Sequence, residues 1–571
     1  MKSTSLNRRE FLRASVAGAL AATAANAGVR RPPPALAAAE PVPPGPPTAE
    51  PLDIGPRRQL FLDGKFFATA RGMALTVHPP QKTGAPVLVA DEPRFTAIGG
   101  FASVLFVDGV YHLWYLASTA IGGELGQNAP ADENADFPTR RVLCYARARD
   151  GIHWEKPHFN FARAFPHGEP NVILGNGAGG YPDDAPAGPV ELNPRGGPDE
   201  RFLMIAGSQV RAESRLQIDI LASPDGLRWR RRYDNVMTHR PGPDQLDTAN
   251  VIFWDDRIDK WVAYVRRNLF FPWGRSRAIA RAESADLAHF PLVEDCPVVF
   301  AWDERDPSIP GATDDTRLRL VDFYTSNAVK YPWADNAYFI LPSAFFHYTD
   351  GYEPEFPTHA PKNHGPIDIR FAASRDGITW ERYDRRAWVS LGARDDWDGK
   401  TLYAARGLVP GANERELYLY YRGSDALHGW TRSLADVKQV VAAGLGSRNL
   451  NGIGRLVLRR DGFVSARAAY EGGEFTTPPL RFAGDELVLN VDTSAGGEAR
   501  VELLDKNGAP LPGFTLADAD RIHTANDIHR RVAWRGRPSV ASLAGRPVRL
   551  HAVLRDADLY AFQFRSASST P

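Results

Sequence analysis

One arrangement recurs along the chain and limits its folding more than any other feature: a tight turn followed by an aromatic-rich apolar run. The clearest copy is Asp108-Gly109-Val110-Tyr111-His112-Leu113-Trp114-Tyr115. Weaker copies stand at Asp199-Glu200-Arg201-Phe202-Leu203-Met204, Asp259-Lys260-Trp261-Val262-Ala263-Tyr264, Asp335-Asn336-Ala337-Tyr338-Phe339-Ile340 and Glu414-Arg415-Glu416-Leu417-Tyr418-Leu419-Tyr420. A second motif, Asp-Gly-x-x-Trp, interleaves with the first at Asp150-Gly151-Ile152-His153-Trp154, Asp225-Gly226-Leu227-Arg228-Trp229 and Asp376-Gly377-Ile378-Thr379-Trp380. Degenerate forms at Ser284-Ala285-Asp286 and Asp461-Gly462-Phe463 fill the two gaps. Aspartate and glycine between alternating apolar runs signal hairpins, because glycine accepts the positive φ such turns demand. Two hairpins per repeat make four strands, and five such repeats without helices between them predict an all-β chain built on a five-bladed β-propeller over residues 57–465.

After Gly472 the period breaks. Leu487, Leu489 and Val491 recur at every second position, as do Val548, Leu550, Ala552 and Leu554, then Tyr560, Phe562 and Phe564. Alternation of this kind, with turns such as Asn507-Gly508, predicts a small antiparallel β-sandwich over residues 466–571.

The N-terminus reads Asn7-Arg8-Arg9-Glu10-Phe11-Leu12-Arg13 followed by an alanine-rich run. The pair Arg8 and Arg9 ahead of a mildly apolar stretch with small-residue exits is the pattern of a twin-arginine signal peptide, here residues 1–37, read by the twin-arginine translocon. The chain is therefore expected in the periplasm or outside the cell. The apolar run is shorter than the roughly 20 residues of a membrane span, and no later stretch qualifies, so no stable membrane span is expected. Residues 38–56, rich in proline and alanine, read as a linker. With 68 basic and 68 acidic residues the formal charge is zero, and no basic excess points to nucleic acid. Cys144 and Cys296 fall in strand-like stretches of different repeats and are expected as free, buried thiols.

In a propeller of this register both turn motifs lie on one face. The Asp-Gly-x-x-Trp residues are then structural turns whose tryptophans pack between blades. The opposite face collects the starts of the innermost strands and the long connections at residues 117–140, 342–367 and 423–454, where sites are usually built. Polar residues mapping there are Asp183, Asp184, Asp247, Asn250, Arg266, Arg267, Trp273, Arg277, His364, Asp368, Asp398, Arg406, Tyr421 and Arg422.

The turn Ser374-Arg375-Asp376-Gly377-Ile378-Thr379-Trp380, the count of five and the carboxylates at inner-strand starts resemble the glycoside hydrolases of the arabinanase, xylosidase and invertase clans. Leu489-Asn490-Val491-Asp492-Thr493-Ser494-Ala495-Gly496-Gly497, Pro510-Leu511-Pro512-Gly513-Phe514 and Arg555-Asp556-Ala557-Asp558-Leu559-Tyr560 resemble the ending of exported members of that superfamily. The resemblance implies hydrolysis of a polysaccharide or oligosaccharide by two carboxyl groups, one protonated and one ionised. It also implies an aspartate near the start of the first inner strand. That position reads Phe95-Thr96-Ala97-Ile98-Gly99-Gly100-Phe101, with no carboxylate. The catalytic set is therefore sought in Asp247, Asp184 and Asp368, with Glu213 in reserve. Arg266, Arg277, Trp273, His364, Arg406 and Tyr421 are the expected substrate-binding residues, and Trp333 is a further residue able to stack on a sugar or fill a core.

Two other outcomes stay open: a glycan-binding protein that kept the scaffold without the first carboxylate, and a lyase using His364 or Tyr421 as base. No motif for a zinc peptidase, serine hydrolase or nucleotide enzyme is present, and no cofactor is called for. Oxygen ligands alone suffice for a structural calcium ion in the channel, and nothing in the sequence locates one.

Overall fold

The computed structural model describes residues 42, 45, 50–89, 95–120, 139–159, 171–175, 188–210, 215–242, 245–271, 274–307, 321–347, 365–393, 396–428 and 451–567. Over these residues the chain is all-β, its helical elements being three-residue 3-10 turns such as Gly64–Phe66. The first three sheets each stack four antiparallel strands in chain order. They are Phe95–Val107, Val110–Ala120, Thr139–Ala148 and Val172–Leu174; then Val190–Leu192, Phe202–Val210, Arg215–Ser223 and Arg230–Thr238; then Val251–Asp255, Lys260–Phe271, Gly274–Ser284 and Val298–Phe300. The fourth is interrupted. Val321–Phe323 pairs with Ser343–Phe346 and Val329–Lys330 with Tyr338–Ile340, and outside them lie Ile367–Ile369 and Ala372–Ser374. In the fifth, Thr401–Ala404 and Val409–Pro410 pair with Glu416–Ser424, which pairs with Asn451–Arg459. The outer edge of Asn451–Arg459 is taken by Gln81–Lys82 and Leu88–Val89, which precede the first sheet in the chain.

The two turn motifs have separate physical roles. At the first, Asp108 and Gly109 both have positive φ, 52° and 77°, the conformation a two-residue hairpin requires. In the second, the aspartate closes the turn by accepting backbone N–H groups: Asp150 Oδ1 from Ile152 and His153, Asp225 Oδ1 from Leu227 and Arg228, Asp376 Oδ1 from Ile378 and Thr379. The glycine carbonyl then accepts a bond from an aromatic side chain of another sheet. Trp114 of the first sheet donates to Gly226 of the second, Tyr264 of the third to Gly377 of the fourth, and Tyr420 of the fifth to Gly151 of the first, each at 2.7 Å. Each such turn hooks onto the preceding sheet, and the first hooks onto the last. Trp154 and Trp380 meet the same tyrosines edge-on at 5.7 and 6.1 Å, so these tryptophans pack between sheets as their spacing implied.

The remaining strands form two further sheets enclosing a core that includes Phe61, Phe66, Phe67, Phe475, Phe562 and Trp534. One contains Leu480–Phe482, Gly473–Thr476, Glu498–Asp505 and Val548–Arg555; the other contains Val464–Ala468, Glu486–Asp492, Asn526–Arg531 and Ala557–Arg565. Both also take strands from the start of the chain. Leu52–Gly55 pairs with Leu480–Phe482, Thr69–Arg71 with Gly473–Thr476, Met73–Val77 with Val464–Ala468, and Gln59–Leu60 with Ala557–Arg565. This pairing differs from the sequence boundaries at residues 56/57 and 465/466. The cause is packing: Phe61, Phe66 and Phe67 bury against Phe475 and Phe562. Cys144 and Cys296 are buried free thiols. No helix among the described residues is long and apolar enough to cross a membrane.

Candidate functional site

Segments from each of these strand groups meet at one residue, Arg406. The backbone of Arg406 donates to Ala102 O and accepts from Val104, joining the first and fifth sheets, while its guanidinium pairs with Glu191 of the second and donates to Ala328 O of the fourth. Its charge also lies 5.5 Å from the centre of the Phe253 ring in the third. The axis at this level is therefore filled. Burial raises the Glu191 carboxyl from its ordinary range, while the charge and hydrogen bond of Arg406 oppose the rise.

Toward the starts of the inner strands the axis holds a second buried charge. Asp322, in Val321–Phe323, aligns across strands with Phe345, which aligns with Ile367, so the three side chains form one row on one face of the sheet. Asp322 Oδ1 accepts the backbone N–H of Arg277 at 2.8 Å, and Oδ2 contacts Arg277 Nη1 at 2.5 Å and His347 Nε2 at 2.7 Å. Burial alone would raise its pKa, but the His347 hydrogen bond and the charges of His347 and Arg277 hold it down at about 2. Asp322 is thus an ionised acceptor that fixes His347 and Arg277 in place.

Around this pair stand aromatic rings and further cations. The Tyr324 ring lies 5.0 Å from the Arg277 guanidinium carbon and 5.7 Å from that of Arg266. Tyr324 meets His428 at 4.9 Å and Tyr403 at 5.9 Å between centroids, and Phe345 lies between the two histidines, 4.0 Å from His347 and 4.7 Å from His428. The Tyr403 hydroxyl and His428 Nδ1 are 2.7 Å apart. Burial pushes His428 down to about 3, assisted by the charges of Arg277, His347, Arg422 and Arg266, so its ring is neutral at ordinary pH. A neutral imidazole offers one donor and one acceptor nitrogen, and the tautomer decides which faces Tyr403.

Asp247 marks the solvent side of this cluster, with 67% of its side chain exposed. Buried Arg266 secures it: Nη1 donates to Asp247 O at 2.6 Å, Nε donates to Gln245 O at 2.9 Å, and Nη2 lies 3.7 Å from Asp247 Oδ2. Asn250 Oδ1 in turn accepts the Arg266 N–H at 3.0 Å. Asp247 and Arg266 are thus in contact, and Arg277 lies on the same Tyr324 ring as Arg266.

The other expected residues have different surroundings. Asp368 is gripped by both Arg370 Nε and Nη2, at 2.6 and 2.8 Å. Its neighbour Ile367 packs with Tyr324, Phe345 and Tyr403, so strand alternation turns Asp368 away from that cluster. Burial raises its carboxyl, against the pull of Arg370. Tyr421 is 1% exposed and donates to Asp398 Oδ2 at 2.7 Å, on the oxygen that also holds Lys82 Nζ. Its ring stacks on Trp397. Arg406 and Tyr421 therefore serve buried internal ion pairs instead of an open substrate face. Asp184, Glu213, Trp273 and His364 lie outside the described residues, as do Arg8 and Arg9.

Asp322, His347, Tyr324, Tyr403 and His428 were not singled out from the sequence. Asp322 carried the available signal, a carboxylate inside the apolar run Val321-Asp322-Phe323-Tyr324 one strand ahead of the fourth turn motif. Among the described residues no group of three or more histidine, cysteine, aspartate or glutamate side chains is arranged to hold a metal ion.

No family model matches the chain, and no curated protein matches it in sequence. Solved structures that resemble it include one described as a glycoside hydrolase, with 11% identity, a TM-score of 0.40, and 67% of this chain and 92% of that one covered. Another is an N-acetylgalactosamine deacetylase from F. plautii in complex with blood group B trisaccharide, at 12% identity and TM-score 0.39, covering 68% of this chain and 96% of that one. A third is a glycoside hydrolase family 43 arabinoxylan arabinofuranohydrolase from Bacillus subtilis in complex with cellotetraose, at 12% identity and TM-score 0.35, covering 84% and 99%. Likenesses this distant transfer neither a site residue nor an activity to this chain.

Proposed function

We propose that the protein is an exported carbohydrate-active enzyme of glycoside-hydrolase type, folded as a five-bladed propeller with a C-terminal sandwich, that takes a carboxylate-bearing saccharide at the Asp247 end of the axis. The observation that carries the proposal is a solvent-facing carboxylate, Asp247, on a buried arginine, Arg266, linked through the Tyr324 ring to Arg277, Asp322 and His347. Arg266 and Arg277 supply positive charge for an acidic sugar, and Tyr324 supplies a ring face. Asp247 activates the water whose oxygen bonds to the anomeric carbon as the glycosidic bond breaks. His347, oriented by Asp322, hands a proton to the leaving oxygen.

The test is release of reducing ends from a panel of acidic and neutral polysaccharides by the mature protein, repeated with Asp247→Asn and His347→Gln. Loss of at least about 100-fold in each variant, with binding retained, is the expected result, since a positioned acid or base contributes about that much. Turnover unchanged in Asp247→Asn refutes the assignment, and binding without turnover by the unmodified protein would make it a glycan-binding module.

A second reading is favoured by His428. A neutral imidazole on the Tyr403 hydroxyl, close to Arg277 and Arg422, suits removal of the proton beside an arginine-bound uronate carboxylate, with departure of the oxygen at the neighbouring carbon. Such elimination leaves an unsaturated product absorbing in the ultraviolet, which hydrolysis does not.

A further inference from the structure

A cavity of about 970 Å³ opens at the other end of the inner strands. The strand Val251–Asp255 shows the separation: Asn250, at its start, holds the Arg266 backbone beside Asp247, whereas Trp254 and Asp256, at its end, line the cavity. The opposite wall comes from the C-terminal sheets and the start of the chain, through Arg58, His529 and Arg565. Its size falls at the upper end of ordinary ligand sites.

The charges lining it do not cancel. Seven arginines and lysines face three carboxylates, Glu191, Asp256 and Asp335. Those three are taken by Arg406, Lys330 and Arg57 respectively. Arg58 and Arg565 reach carboxylates outside the lining, Asp461 and Glu486. Two guanidinium groups are left without a carboxylate among the described residues. Arg257 donates to the Tyr338 hydroxyl and the Asp376 carbonyl, and Arg460 lies over the Trp333 ring at 5.4 Å with its Nε unbonded. Adjacent His529 adds no charge, since burial and Arg58 push it down to about 4. With all three carboxylates of the lining neutralised, exposed Arg257 and half-buried Arg460 are left as uncancelled positive charge beside tryptophan, open to an anion entering the cavity.

We infer that this cavity is a second saccharide-binding site, in which Arg257 and Arg460 hold carboxylates of an acidic oligosaccharide and Trp333 and Trp254 present ring faces to its sugars. Guanidinium groups pair with carboxylates through parallel hydrogen bonds, and indole faces accept the apolar face of a sugar ring, so the two residue types together select an acidic saccharide over a neutral one. Occupation here tethers the protein to its polymer without using the Asp247 end of the axis. The inference stands independently of whether that end turns substrate over.

The test is isothermal titration of the full mature protein with trimers of galacturonate and glucuronate, with neutral galactotriose and citrate as controls. Saturable binding of at least one acidic trimer is expected, weakening as salt is raised. Arg460→Gln should weaken it tenfold or more, and Ala334→Trp, which fills the cavity from its lining, should abolish it. Unchanged unfolding midpoints show that both variants fold, and soaking the trimer into crystals gives an independent location. Three results overturn the inference: no saturable binding of any acidic trimer, affinity within twofold of wild type in both variants, or citrate binding as tightly as the best trimer, which would mark a simple anion site.

Discussion

Replacing Asp322 by asparagine keeps the side-chain volume and removes the charge that organises the Asp247 end of the axis. The Asp322 and Arg277 side chains are 3% and 4% exposed, so the variant leaves a guanidinium buried without its anion. Breaking a buried pair by removing one partner costs about 3–5 kcal/mol. Asparagine can still accept the Arg277 backbone N–H, which places the expected loss near 3 kcal/mol, the low end of that range. The pH dependence offers a second estimate. The carboxyl sits at about 2 in the folded protein against 3.8 in its absence, so the unfolded chain binds the proton more readily. Its contribution is therefore present above about pH 4 and is lost as pH falls through about 2. A drop of that size corresponds to roughly 2–3 kcal/mol, the same order as the loss expected from breaking the pair. Urea unfolding at several pH values, followed by tryptophan fluorescence, measures both quantities, provided the slopes of the two proteins match. The gap between wild type and Asp322→Asn should be flat from pH 8 to pH 5 and narrow below pH 4. A gap under about 1 kcal/mol at pH 7, or one that widens as pH falls, would show that Asp322 is not the buried anion holding Arg277 and His347.

Further outcomes follow from the same geometry. Gly226 and Gly109 have nearly the same φ, 73° and 77°, but a Cβ at Gly226 would lie 2.6 Å from Trp114 Cζ2 while one at Gly109 meets nothing within 4 Å. Gly109→Ala should cost only the left-handed strain of about 1 kcal/mol, and Gly226→Ala about 3 kcal/mol with overpacking added; equal losses in urea would refute the hooked-turn account. The His428 ring should keep the NMR shifts of a neutral imidazole from pH 8 down to pH 4, and folding stability should decline over that range as the unfolded state takes up the proton; a midpoint near 6.5 would contradict it. Burial pushes the Cys296 thiol up to about 11, so a disulfide reagent at pH 8 should leave it unmodified in the native protein and react after denaturation. Finally, Arg8→Lys with Arg9→Lys should hold the protein in the cytoplasm, as judged by fractionation, if the leader is the twin-arginine signal its sequence resembles.

The turns were legible because their physics is local. Asp150, Asp225 and Asp376 bond to N–H groups two and three residues on, and the glycines need only their own φ, so each copy announces itself within five positions. Much of the site was not, because its members act through partners distant in sequence. His428 means nothing until Tyr403, Tyr324 and Phe345 surround it, and His347 gains its orientation from Asp322 on another strand. Arg406 shows the converse failure. A polar residue after an inner strand looked available to a ligand, and only the strand convergence shows that Glu191 and Ala328 have already taken it. The strands from Leu52 to Val77 were missed for a related reason: each is five residues or fewer, too short for a period to register, and their partners lie hundreds of positions later.

Those distant partners bear on how the chain completes its fold. The fifth sheet is finished by residues that precede the first: Thr83 bonds to Arg455, 372 positions away, and Lys82 reaches Asp398, 316 positions away. The terminal sheets do the same on a larger scale, with Gln563 bonded to the carbonyl of Pro56 across 507 positions. Until the last strands exist, the early ones leave sheet edges and aromatic faces such as Phe61 and Phe67 without cover. Contacts of this separation are slow to form, and the waiting state is prone to aggregate. An export route that carries folded protein removes the conflict by letting both ends meet before transport. If residues 1–37 are the twin-arginine signal their sequence resembles, this gives a reason for it, and it has a consequence: fusing the mature chain to a signal that exports unfolded chains should yield aggregate in place of folded, exported protein. Recovery of soluble, folded protein at the same level by that route would separate the leader from the topology.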